Sequence, residues 1–370
     1  MEVLLDTIFN IVSFIGIISV IVFIHEFGHY YVARRAGVRI EVFSIGFGKE
    51  IFSWLDSNNT KWKIGILPLG GYVKMFGDKN EASVPDFKKM KELSPEDTKI
   101  SFHTKNLKWK MAIVSAGPIA NYLLAIVIMT FLFSFYGMSK ADSIISNVEL
   151  GSVADKIGLK SGDKIIAIND KSIDQFSDIQ RALALNNGES MSIKIARGED
   201  QYSFDFTPDL VEREDIFGNK IKTHKLGIMS GEFKTEKLAI HRAVLASIEE
   251  SYSMSVTTFS SLVQMILHKR GTEELGGPIK IAKYSGQSVK KGIHVVLWLI
   301  AVLSINLGFI NLLPIPMLDG GHLFYYVVEA IKGSPVSEKI QQIGFQIGLI
   351  LLIMLFVFTT FNDIKNTGLF

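Results

Sequence analysis

Residues 8–35 read IFNIVSFIGIISVIVFIHEFGHYYVARR. From Ile8 to Ile24 no side chain carries a charge, and the helix this implies continues through HEFGHYYVA to Arg34. A bilayer core is crossed by about 20 mainly apolar residues in a helix. His25, Glu26 and His29 therefore fall below the membrane interface, with about 12 Å of helix between Glu26 and Arg34. Ionisable side chains at that depth are costly and by default mark function. These three also form the pattern H-E-x-x-H. Positions i and i+4 share one face of a helix, so both imidazoles reach one zinc ion, and Glu26 stands ready to accept a proton from a water that zinc acidifies. The bland alternative is a His/Glu cluster capping a helix at the interface.

The composition fits a membrane chain long enough for two domains. Its 370 residues are 48% hydrophobic and 21% charged, with 39 Lys+Arg against 37 Asp+Glu for a formal net charge of +2; mean hydropathy is +0.28. That balance gives no electrostatic case for nucleic acid and too little charge for a disordered tail. There is no cysteine, which excludes disulfide scaffolds, thiol nucleophiles and cysteine-liganded zinc. Any metal site must be built from carboxylates and the eight histidines.

Three further uncharged stretches are long enough to span: Met111 to Ser139, the run between Lys291 and Asp319, and the run between Lys339 and Asp363. The first of these, the second span, contains Gly117, Pro118 and Asn121, whose freed backbone groups need protein or water nearby. Glu2 and Asp6, in place of a basic region, argue against a removable signal peptide. The 15 Lys and Arg from Arg34 to Lys110, against none in the N-terminal tail, put that connection in the cytoplasm. The N-terminus and the segment from about Lys140 to Lys291 are then extracytoplasmic. SYSMSVTTFSSLVQMIL, between Glu250 and His268, is short and rich in Ser and Thr. Its larger apolar residues recur at three and four, which suits a helix lying on the membrane.

From Asp142 to Pro208 the pattern changes to short alternating strands, a helix-like DQFSDIQRALALNN, and a strand pair SMSIKIARGEDQYSFDF turning at Gly198. The string SVADKIGLKSGDKIIAINDKSI resembles a bacterial PDZ domain, as does the order of elements around it. That resemblance implies a module taking a peptide or protein ligand by strand addition. The alternative is a folded spacer.

A catalytic zinc usually has three protein ligands and one open position. Residues 306–324, NLGFINLLPIPMLDGGHLF, close the third apolar run, and Asp319 is the first charge after it, on a segment broken by Pro314 and Pro316. Unwound backbone is tolerated at membrane depth only where protein or a water-filled cavity surrounds it. Asp319 is the expected third ligand. With the first span running inward and the second outward, the third must run inward to bring Asp319 to the side of His25 and His29. His322 competes for this role and is read instead as a hydrogen-bond partner or structural residue. His103, His224, His241, His268 and His294 are isolated in sequence and read as structural or surface residues.

HEFGH, LPLGGYVKMFG in the cytoplasmic connection, SAGPIANYLLA in the second span, the PDZ-like stretch and NLLPIPMLDGGHL together resemble the site-2 protease family of intramembrane zinc metalloproteases. The resemblance covers nearly the whole chain in the family's order, and is nearest to the bacterial regulator of sigma-E proteases. It implies His25, His29 and Asp319 as zinc ligands, Glu26 as catalytic base, and Asn311 as the residue that steadies the substrate backbone. The enteric members have two tandem PDZ domains. Here only Asp142 to Pro208 reads as one, because LVEREDIFGNKIKTHKLGIMSGEF is too short for a second.

A helical substrate holds its carbonyls in i to i−4 hydrogen bonds and must be drawn out before water attacks. The runs IEVFSIGFG, KEIFSWL and KWKIGILPLGGYVKMFG read as a sheet whose membrane-facing edge would pair with the unwound substrate, Gly70 and Gly71 permitting close backbone approach. The alternative is a sheet that only braces the first span.

The expected fold is a polytopic α-helical membrane protein of four transmembrane helices, with a membrane-associated β-sheet region and one inserted PDZ-like α+β domain. Residues 1–141 would carry two spans and the cytoplasmic connection, 142–208 the PDZ-like domain, 209–291 an extracytoplasmic linker with amphipathic membrane-surface helices, and 292–370 the last two spans. The expected function is zinc-dependent hydrolysis of peptide bonds within or near the transmembrane segments of single-span proteins in the bacterial inner membrane. An anti-sigma factor or remnant signal peptides would be such substrates, and the partners are the lipid bilayer and a ligand of the PDZ-like domain, with no nucleic acid. Two other classes compete: an inactive relative that binds transmembrane helices as a chaperone or scaffold, and a metal transporter, against which the general base and the lack of an internal repeat argue.

Overall fold

The computed structural model describes residues 2–78, 93–214, 220–231, 233–267 and 275–366. Two compact units emerge, residues 1–129 with 275–370, and residues 130–274. In chain order the elements of the first part are α1 (Glu2–Arg35), β1 (Ile40–Leu55), β2 (Lys61–Met75), α2 (Pro95–Ile100) and α3 (Leu107–Phe135). The second unit continues with β3 (Met138–Lys140), β4 (Ile145–Val148), α4 (Val153–Lys156), β5 (Lys164–Ile168), β6 (Lys171–Ser172), α5 (Phe176–Ala184), β7 (Met191–Arg197) and β8 (Asp200–Phe206). Then follow β9 (Asp209–Glu214), β10 (Lys220–Lys225), β11 (Ile228–Ser230), β12 (Lys234–Glu236) and α6 (Ile240–Ile266). The chain closes with α7 (Pro278–Lys291), α8 (Ile293–Leu312), α9 (Asp319–Lys332) and α10 (Glu338–Asn366).

Four helices are long and apolar enough to cross a bilayer: Leu4–Arg35, Leu107–Phe135, Ile293–Leu312 and Glu338–Lys365. They fall on the four expected stretches. α3 starts before Met111 because Lys110 is accommodated inside the protein, its Nζ 2.9 Å from the Glu329 carboxylate. It stops at Phe135, where Gly137 at φ 90°, a left-handed conformation that a Cβ disfavours, turns the chain into β3. α8 stops at Leu312. Pro314 and Pro316 donate no backbone hydrogen bond and push the residues before them out of the helical region, so the chain stays irregular until α9 opens at Asp319. Only 6% of the most apolar window of α10 is buried, which leaves its surface suited to lipid.

β1 and β2 are long strands bent back on themselves. Residues 42–45 pair on one side with 61–64 and on the other with 71–74, while 52–55 add a further row against 61–64. The expected sheet is thus present, with residues 71–74 at one edge. Ile40, Phe43 and Val73 pack with Ala33 of α1 and Ile113 and Val114 of α3, so sheet and third helix grip the C-terminal half of α1 together. Farther along, Ile17 and Ile21 pack against Leu299 and Ile300 of α8.

α7 belongs to the first unit, with Tyr284 packed on the Ile17 and Ile21 cluster and Lys290 Nζ 2.8 Å from Asp6 Oδ1. Its small, polar face (Ser285, Gly286, Ser288) is buried, which a simple count of its lysines does not reveal.

The second unit holds an antiparallel sheet in the order β6-β5-β7-β8, with the β7–β8 turn at Gly198 as the pattern predicts. Its core is built from Ile145, Ile165, Ile179, Ile193 and Ile195, and it does not end at Pro208: Leu226 is buried in the same cluster and β11 pairs antiparallel with β4. The β9–β10 hairpin intervenes, so the strand that completes the core lies beyond a polar excursion. α6 buries Ala243, Ser247 and Ser251, exposes Ile248, Tyr252 and Phe259, and is not among the helices apolar enough to span.

Candidate metal centre

His25 and His29 stand one turn apart on α1, as i and i+4 require, with their Nε2 atoms 3.3 Å apart and both side chains buried. Asp319, the first residue of α9, brings Oδ2 to 3.2 Å from His25 Nε2 and 3.4 Å from His29 Nε2. One ligand atom from each of the three lies within 4.8 Å of the others, and among the described residues no other such trio of His, Asp or Glu occurs.

The outer edges of the imidazoles are anchored. His29 Nδ1–H donates to the Ile113 carbonyl at 2.8 Å, which leaves Nε2 with its lone pair facing Asp319. His25 Nδ1 lies 3.2 Å from the side-chain amide of Asn121 on α3. α3 comes this close because residue 117 is glycine. A Cβ there would collide with the His29 ring and stand 2.8 Å from His25 Cε1.

The trio fits a divalent cation. Asp319 Oδ2 is buried and receives no hydrogen bond, although two imidazole nitrogens lie beside it. Three lone-pair atoms pointed at one another repel unless a proton or a cation sits between them, and two imidazoles with one carboxylate are a donor set that suits zinc and leaves a coordination position open.

These groups line a cavity of about 1030 Å³ shared with Glu26, Asn311, Gly70 and Gly71. That is at or above the roughly 300–1,000 Å³ of small-molecule pockets, room for a stretch of extended peptide. Asn311 Nδ2 is 3.5 Å from His25 Nε2. At Gly71 a Cβ would stand 2.7 Å from the Ser44 carbonyl oxygen and 2.9 Å from Glu26 Cγ, so only a residue without one lets the sheet edge lie beside Glu26. His322 lines the same cavity without joining the trio. His103 is not isolated: its Nε2 lies 2.8 Å from buried Asp78 Oδ1, bracing the connection. His224 and His294 have partners and His241 is exposed, while His268 lies outside the described residues.

Sequence reading missed two contributors, Asn121 and the Ile113 carbonyl. Asn121 was noted only for its backbone, although an amide inside an apolar run carries the same signal that singled out His25. The carbonyl has no signature in sequence at all.

Residues 13–355 match the family described as Peptidase family M50. A Rhizobium meliloti protein is 40% identical over 99% of both chains, and a Rickettsia conorii protein 41% identical over 96% of this chain and 99% of its own. Both carry the words zinc metalloprotease in their names. Metalloprotease MmpA of Caulobacter vibrioides is 34% identical over 97% of this chain and 96% of its own.

Proposed function

The chain belongs to peptidase family M50 and is a membrane-embedded zinc metalloprotease, and from that premise we propose that it hydrolyses peptide bonds within or near the transmembrane segments of single-span membrane proteins. One observation carries the proposal: His25, His29 and Asp319 come together in a cavity with Glu26, and His25, Glu26 and His29 stand on a helix apolar enough to span. A soluble peptidase gains nothing from placing such costly groups there.

In this reading His25, His29 and Asp319 hold the zinc. Bound zinc supplies the Lewis acidity that polarises a peptide carbonyl and acidifies water. Glu26 accepts a proton from the attacking water and passes it to the nitrogen of the leaving amine. Asn311 donates its amide hydrogens to the substrate backbone. The edge strand at residues 71–74 offers its main chain to a substrate drawn out of helix, and Gly70 and Gly71 let that substrate come close to Glu26. The basic connection from Arg34 to Lys110 argues for a cytoplasmic-side site in the inner membrane, with the N-terminus and a single PDZ-like domain on the other side. Peptide binding by that domain, and α6 lying on the membrane through Ile248, Tyr252 and Phe259, belong to the same proposal.

The test is cleavage by the full chain reconstituted in liposomes with a single-span substrate, the cut mapped by mass spectrometry. A cut inside or at the cytoplasmic end of the apolar segment is expected. Cuts confined to water-soluble loops would contradict it.

A further inference from the structure

Asn121 is fully buried, at 0% exposure. Its side-chain amide faces His25 Nδ1 at 3.2 Å, and its Oδ1 has no hydrogen-bond partner. An amide can present either end. With Nδ2 toward the ring it donates to Nδ1, so the hydrogen of a neutral imidazole sits on Nε2, aimed at Asp319 and His29 where a metal ligand needs a lone pair. With Oδ1 toward the ring it accepts Nδ1–H, the orphaned oxygen is satisfied, and Nε2 is free. Only the second arrangement gives Asn121 Oδ1 a donor and keeps three lone pairs in the trio for a cation to satisfy.

We propose that Asn121 is the positioning residue that holds His25 in its Nδ1–H form, with Nε2 directed at the metal. The inference rests on the reading of His25 as a zinc ligand. It makes α3 the support of both imidazoles: the Ile113 carbonyl orients His29, and the Asn121 amide, two turns on, orients His25. The backbone at Asn121 is itself fixed. Ser304 Oγ–H of α8 donates to the Asn121 carbonyl at 2.9 Å, and at Gly308 a Cβ would stand 3.0 Å from the Pro118 carbonyl oxygen and 3.3 Å from Asn121 Cβ. On the other side, a Cβ at Gly28 of α1 would collide with the Ala116 carbonyl. Held between α1 and α8, the amide has little freedom to withdraw from the ring, and being uncharged it orients His25 without adding a charge to the site.

Groups that hold the far nitrogen of a metal-ligating imidazole typically contribute 10–100-fold to metal affinity. The experiment is zinc affinity by chelator competition on the full chain in detergent, for the wild type, Asn121→Ala, Asn121→Asp and His25→Ala. Asn121→Ala is expected to weaken zinc about 10–100-fold, and Asn121→Asp, whose carboxylate still accepts Nδ1–H, to stay within about threefold of wild type or bind tighter. Wild-type affinity in Asn121→Ala, or equal weakening in both Asn121 variants, would overturn the inference, the latter pointing to packing alone. If His25→Ala leaves affinity unchanged, the ligand reading itself has failed. If His25→Ala weakens zinc and Asn121→Ala does not, only the role of Asn121 has. The nitrogen-15 spectrum of histidine in the zinc-loaded wild type gives an answer that needs no variant: the proposal requires a protonated His25 Nδ1 and a metal-bound Nε2, and the reverse assignment would refute it.

Discussion

At the scale of single residues, distance separates the candidate ligands from what only sits nearby. Asp319 places a carboxylate oxygen within 3.4 Å of both imidazole nitrogens, whereas His322 only lines the cavity. Asp319→Asn should therefore weaken zinc binding by more than the 10–100-fold typical of an outer partner, and His322→Ala by no more than that range. Chelator competition on the two variants checks this, and the reverse order would exchange their roles. Gly71 makes a second prediction. A methyl group there has no room between the Ser44 carbonyl and Glu26 Cγ, so Gly71→Ala must shift the strand, or Glu26, by a substantial fraction of an ångström. Misplacement on this scale costs on the order of 100-fold in rate. Zinc content should be unchanged while cleavage falls by about that factor; full activity would mean that the edge strand plays no part near Glu26.

At the scale of elements, backbone chemistry decides where each one ends. The break between α8 and α9 puts Asp319 at a helix start, and it was legible because Pro314 and Pro316 interrupt an apolar run just before a lone charge. The four spans and the H-E-x-x-H face were legible for the same reason, since a missing charge and a spacing of four leave little choice of structure. Less legible was whatever depends on pairing between distant segments. Nothing local in Leu226–Ser230 says that it joins a core already closed by β7 and β8, and α7 hides a small-residue packing face among lysines. Within the second unit, β7 is tied to the turn before β5 by Arg197, whose Nε and Nη2 donate to Asp163 at 2.7 and 2.8 Å. Burial alone would raise the Asp163 pKa, but the Arg197 guanidinium and the Lys160 backbone N–H outweigh it and hold the carboxyl below its ordinary value of 3.8. The folded state thus binds fewer protons than the unfolded one. The stabilisation is complete above pH 3.8 and is lost as pH falls through the lower folded value. Hydrogen exchange of β5 and β7 in the full chain should show protection falling on acidification over that window in the wild type, and less so in Asp163→Asn.

At the scale of the whole molecule, the second unit is inserted between segments that build the metal centre, and its own strands show where it can be excised. β3 and β12 pair so that Lys140 and Lys234 are neighbours, which brings the two ends of the insertion together. A chain lacking residues 142–230 should keep zinc and cleave a pre-shortened substrate, with altered choice among full-length ones. A deletion stopping at residue 208 would strand Leu226 without its core and is expected to aggregate. Loss of activity on both substrates in the cleaner deletion would mean that the insertion supports the membrane core. The central claim is that Glu26 moves the proton in a site whose metal is held by other residues. The most direct measurement is zinc stoichiometry together with cleavage of a single-span substrate by Glu26→Gln. Full zinc occupancy with a rate at least about 100-fold lower is predicted, in line with the usual contribution of a general acid–base. Cleavage at the wild-type rate, or loss of the metal along with the activity, would contradict it.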